Sequence, residues 1–81
     1  MSVVFINLPK MSSKDQGNAA FKQGNYTLAI QHYTDALSET PNDHTILGNR
    51  AAAYQNSSQF AAALADAEKC IQIKPDWGKG Y

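Results

Sequence analysis

Residues 17–41 read GNAAFKQGNYTLAIQHYTDALSETP, and the spacing of small and large residues within them decides the fold. Ala29, Ile30, Tyr33, Ala36 and Leu37 recur at three- and four-residue intervals, which places them on one apolar stripe of a helix. Gly24 and Asn25 interrupt the pattern ahead of that stripe, and both residue types tolerate the left-handed backbone found where helices end. Pro41 stops the striped helix, because proline lacks the amide hydrogen that a helix interior requires. Upstream, Ser12 followed by Asp15 fits a capping box that opens an earlier helix. The stretch therefore reads as a helix–turn–helix hairpin.

Displaced by 34 residues, the hairpin falls on a second copy of itself. Gly17 meets Ala51, Ala19 meets Ala53, Tyr26 meets Phe60, Ala29 meets Ala63, Ile30 meets Leu64, and Pro41 meets Pro75. Small residues coincide with small ones, including Ala36 with Cys70, and large apolar residues with large ones. Two units emerge, 10–43 and 44–77, and residues 78–81 open a third. In the second unit Leu47, Ala51 and Tyr54 form one expected stripe, and Phe60, Ala63, Leu64, Ala67 and Ile71 the other. Asn42 or Asp43 is placed to cap the helix between the hairpins, and Ser57 and Ser58 occupy the second turn. The expected architecture is all-α, with α-hairpins stacked side by side. The ending KPDWGKGY reads as a stop, a cap and the first turn of a further helix, so the chain is expected to be part of a longer array, with Trp77 packed between the second and third hairpins. Residues 1–9, MSVVFINLP, lie outside the period and are expected to form a flexible extension or an arm over exposed apolar surface.

Composition narrows the function classes. The 81 residues carry seven Lys and Arg against seven Asp and Glu, so no global field favours nucleic acid or a membrane surface. No apolar run approaches the roughly 20 residues that span a bilayer. The first positive charge, Lys10, lies behind the N-terminal apolar patch, the reverse of a signal peptide. A single cysteine, Cys70, allows no internal disulfide, which fits a reducing, cytoplasmic setting. His32 and His44 lack metal-ligand spacing with each other or with Cys70. Asp66 and Glu68 fall on different helix faces and make no acid–base pair. With no phosphate loop or nucleophile–base constellation, the expectation is a binding module without enzyme activity, cofactor or metal.

A 34-residue helix–turn–helix period with these small and aromatic positions resembles the tetratricopeptide family, a right-handed solenoid of α-hairpins, over residues 10–81. The segments KDQGN, NRAAAY and KPDWGKGY look like the tetratricopeptide domains of chaperone-organising, stress-inducible co-chaperones. Such domains bind the acidic C-terminal tails, ending Glu-Glu-Val-Asp, of the seventy- and ninety-kilodalton heat-shock chaperones. The resemblance implies a carboxylate clamp at Lys14 and Asn18 on the first helix, Asn49 on the third and Lys79 on the fifth. A further basic clamp position would fall beyond Tyr81. Ala52, one turn after Asn49, would leave room for an apolar side chain of the peptide. Ser13 and Gln16 depart from the large apolar residues of the family pattern.

The residues suit that chemistry independently of the resemblance. A C-terminal aspartate offers two carboxylates close together, and ammonium and amide donors converging from several helices can hold them. Lys14 and Asn18 lie one turn apart on one face. Asparagine is a poor helix former, and neither Asn18 nor Asn49 sits at an expected cap. Arg50 is expected to lie across the stack and pair with a carboxylate, and Cys70 to be a buried small residue. The rival reading is a scaffold that self-associates through its open repeat end, and related domains also occur beside immunophilin and phosphatase enzymes.

Overall fold

The computed structural model describes residues 11–73, so the expectations for the leader, Trp77, Lys79 and the opening of a third unit lie outside the described residues. Four helices follow one another: α1 (Ser13–Lys22), α2 (Tyr26–Glu39), α3 (His44–Asn56) and α4 (Phe60–Ile73). Their ends obey local chemistry. Ser12 Oγ accepts from the Asp15 amide at 3.1 Å and starts α1. Gly24 turns the chain at φ +80°, and the Asn25 side chain accepts from the Leu28 amide at 3.3 Å to start α2. Of the two cap candidates before α3, Asp43 serves: its Oδ1 accepts from the Thr45 and Ile46 amides at 3.0 and 3.3 Å. In the second hairpin Ser58 takes φ +65°, at the position equivalent to Gly24 in the first.

The helices stack in order, α1 on α2, α2 on α3 and α3 on α4, with a narrow contact between α1 and α3. The core joins Ala20, Ala29, Tyr33, Ala36 and Leu37 of the first hairpin to Ile46, Leu47, Ala53 and Cys70 of the second. Gly17 lets α1 approach α2: a Cβ there would lie 2.6 Å from Cδ1 and Cε1 of Tyr33. Arg50 binds the three later helices together. Its Nε and one terminal nitrogen donate to the two Asp66 carboxylate oxygens at 2.7 and 2.8 Å, and its other terminal nitrogen donates to Thr34 Oγ1 at 3.1 Å. Its guanidinium also lies 5.6 Å from the Tyr54 ring centroid. The arginine expected to pair with a carboxylate does so.

Two expected stripes differ from the observed packing. On α3 the buried residues are Ile46, Leu47 and Ala53, while Ala51 and Tyr54 are half-buried. A helix flanked on two sides buries a broad arc, which a single stripe does not describe. On α4 the buried residues are Asp66 and Cys70, and the stripe residues Phe60, Leu64 and Ile71 are 63, 61 and 54% exposed. Among the described residues α4 packs chiefly against α3, with Asp66 and Cys70 turned toward it and Ala63 and Ala67 of the stripe half-buried at the edge of the contact.

Candidate functional site

The stack leaves a groove of about 630 Å³ lined by α1 and α3, with Met11, Ala19, Phe21 and Ala52 as apolar surface and Asn18 and Asn49 as polar groups. Tyr33 of α2 contributes to its lining. The first hairpin and α3 position these side chains: Asn18 follows Gly17, which packs against Tyr33 of α2, and Asn49 lies on α3, which meets α1 in a narrow contact.

The two asparagines meet. Asn49 Nδ2 donates to Asn18 Oδ1 at 3.3 Å, and the Tyr33 hydroxyl donates to the same oxygen at 2.5 Å. Burial pushes the Tyr33 phenol above its ordinary value, so it remains a protonated donor at neutral pH. The Asn18 Nδ2 group has no hydrogen-bond partner among the described residues, and no buried polar side-chain atom in them lacks a partner. Its two hydrogens are therefore available at an accessible position, where a carboxylate oxygen can accept them.

The expected site residues divide as follows. Asn18, Asn49 and Ala52 line one groove. Lys14 is half-buried one turn before Asn18 and is not among the groove residues, while Lys79 lies outside the described residues. The apolar lining residues Met11, Ala19 and Phe21 escaped the sequence reading of the site, and so did three that carry polar groups: Asp15, Lys22 and Tyr33. The spacing Asp15, Asn18, Lys22 is that of one helix face, and it was the available signal. Tyr33 read only as core, because its ring is core and only its hydroxyl reaches the site. A smaller groove of about 390 Å³ lies between α3 and α4, floored by alanines and flanked by Phe60 and Leu64. Among the described residues no group of three or more His, Cys, Asp or Glu gathers to hold a metal ion.

Stacked α-hairpins with a 34-residue period define a helical-repeat protein. The chain belongs to the tetratricopeptide repeat family: the TPR repeat pattern matches residues 17–58, and a tetratricopeptide repeat pattern matches residues 44–76. It is 46% identical over 68 residues to Hsp70-Hsp90 organizing protein 2 of Arabidopsis thaliana, covering 84% of this chain and 12% of that protein. It is 49% identical over 70 residues to heat shock protein STI1 of Saccharomyces cerevisiae, again covering 84% of this chain and 12% of that protein. The chain thus spans a small fraction of the length of these relatives.

Proposed function

We propose that this chain is a protein-interaction module of a co-chaperone that holds the acidic C-terminal tail of a seventy- or ninety-kilodalton heat-shock chaperone. The observation that carries the reading is the convergence of Asn18 and Asn49 from different helices, with the Asn18 amide hydrogens unclaimed among the described residues. The similarity to Hsp70-Hsp90 organizing proteins supports a chaperone as the partner. In this reading Asn18 and Asn49 donate to the terminal carboxylates, and Lys14, one turn before Asn18, and Lys79, outside the described residues, supply positive charge. Ala52 leaves space for an apolar peptide side chain. Lys22 adds an ammonium to the lining, and Asp15 repels acidic residues placed against it. The module acts by binding, without catalysis, cofactor or metal, and its proposed setting is the cytoplasm. Among the described residues no helix is long and apolar enough to cross a membrane.

Calorimetry with a peptide ending Ile-Glu-Glu-Val-Asp tests the reading. The free acid binds, and its C-terminally amidated form, which lacks one carboxylate, binds about tenfold or more weakly. Equal affinity for both forms rejects the clamp. Asn49→Ala weakens binding of the free acid by about tenfold while helicity persists, because alanine is the better helix former.

The exposure of Phe60, Leu64 and Ile71 on one face favours a second reading, a scaffold that self-associates through that face. Tail-independent, concentration-dependent assembly distinguishes it from the clamp.

A further inference from the structure

We infer that Tyr33 is a positioning residue that sets which end of the Asn18 amide faces the groove, an inference that rests on the carboxylate-binding role proposed above. The oxygen and nitrogen ends of an asparagine side chain are nearly the same size, yet they act oppositely on a carboxylate. The nitrogen end donates two hydrogens, while the oxygen end repels. In the structure the Asn18 oxygen accepts from the Tyr33 hydroxyl at 2.5 Å and from Asn49 Nδ2 at 3.3 Å. With both lone pairs engaged on the side of the stack, the nitrogen end turns away from it and presents its hydrogens at the groove.

Asn49 alone does not impose this choice. If Asn18 flips, Asn49 can flip as well and offer its oxygen, so the two-asparagine pair is satisfied in either sense. The phenol breaks that symmetry. Tyr33 is 1% exposed and its ring packs against Gly17, where even a methyl group would come within 2.6 Å of ring carbons. The hydroxyl is thus held in place by core packing. With Asn18 flipped, Tyr33 would have to accept from the amide, and its own hydrogen would meet no acceptor among the described residues. A core aromatic therefore carries the polarity of the binding groove. Gly17, by admitting the ring, belongs to the same device.

A double-mutant cycle tests the inference with the free-acid peptide used above. Tyr33→Phe keeps the ring and removes only the donor. It weakens binding about three- to tenfold in the presence of Asn18, and leaves affinity unchanged in an Asn18→Ala background. A loss of equal size in both backgrounds overturns the positioning role and leaves the clamp standing. Equal binding of the free-acid and amidated peptides by the unaltered chain overturns the clamp, and the inference with it. Asn18→Asp provides a check that leaves Tyr33 intact. It keeps an acceptor for Tyr33 and Asn49 but replaces the amide nitrogen by a carboxylate oxygen, so binding falls more than tenfold while helicity persists. Undiminished binding by Asn18→Asp overturns the inference. In the ligand-free protein the Asn18 side-chain carbonyl resonance shifts on Tyr33→Phe, and an unmoved resonance likewise overturns it.

Discussion

Arg50 shows how one side chain is committed by its neighbours. It makes a bidentate pair with Asp66, which is 6% exposed, and its third contact reaches Thr34 on the preceding hairpin. The hydrogen bond to Asp66 is the first cause that pushes the guanidinium above its already high value, so the pair stays charged on the arginine side throughout the ordinary pH range. Asp66→Ala leaves Arg50 partly buried without its counter-charge, at a cost of about 2–3 kcal/mol. The expected loss in melting temperature is on the order of 10 °C, read by circular dichroism, and a loss below about 2 °C would show the pair to be dispensable. Cys70 gives a second test at this scale. The residue is 1% exposed, and its thiol donates to the His44 carbonyl at 3.2 Å and is pushed by burial above its ordinary value of 9.0. The folded chain therefore keeps a proton that the unfolded chain begins to lose near pH 9. With fewer protons on the unfolded state, stability falls as pH rises through that region and continues to fall until the folded thiol also ionises. Cys70→Ala removes this contribution, so the melting temperature of the variant declines less steeply above about pH 9, before the Tyr33 phenol, shifted in the same direction from 10.0, contributes its own decline. Parallel pH profiles for the two proteins would contradict the assignment.

The turns and crossings of the helices were legible in the sequence where a residue type leaves little choice. Gly24 at φ +80° and Pro41 just beyond α2 are such cases, and so is the 34-residue recurrence that places α3 and α4. Ser58 was legible as a turn residue but not as the left-handed one, since serine does not announce that conformation. Ser58→Gly therefore relieves strain at φ +65° and raises stability by about 0.5–1 kcal/mol, seen as a melting temperature a few degrees higher; a decrease would mean the serine side chain contributes more than the strain. Gly17→Ala has the opposite outcome despite alanine's higher helix propensity. The new methyl would sit 2.6 Å from a Tyr33 ring that has no room to yield, and about 1–3 kcal/mol is lost in chemical denaturation. The site was legible only in part, for a related reason. Asn18 and Asn49 stood out because mid-helix asparagines need an explanation. Their contact 31 positions apart, and the Tyr33 hydroxyl that joins them, depend on how α1, α2 and α3 cross, which residue spacing along one helix does not encode. Ile46 and Ala53 were missed as core for the same cause: burial on α3 is set by neighbours on two sides.

At the scale of the whole molecule the two ends of the stack differ. At the α1 end, Ser12, Ser13 and Gln16 occupy the positions equivalent to Ile46, Leu47 and Arg50, so these positions of α1 are polar where those of α3 include two buried apolar residues. At the α4 end, Phe60, Leu64 and Ile71 are exposed beside the alanine-floored groove of about 390 Å³, and no described helix covers them. Burying such surface contributes ~25 cal/mol per Å², which favours association once the area exceeds what the loss of free tumbling requires. Because those α1 positions are polar, a second copy is expected to meet this face with the same face, in a closed two-fold pair rather than an open chain. Sedimentation equilibrium should then show a concentration-dependent monomer–dimer distribution that stops at two copies. Leu64→Glu should return the chain to a monomer without loss of helicity, since Leu64 is 61% exposed and contributes little to the core. Addition of the hairpin that would follow in the repeat should have the same effect and raise the melting temperature, because it covers the face within one chain. A monomer at every concentration, with Leu64→Glu indistinguishable from the parent, would reject the pairing. Growth past the dimer would show that the polar α1 positions do not block addition.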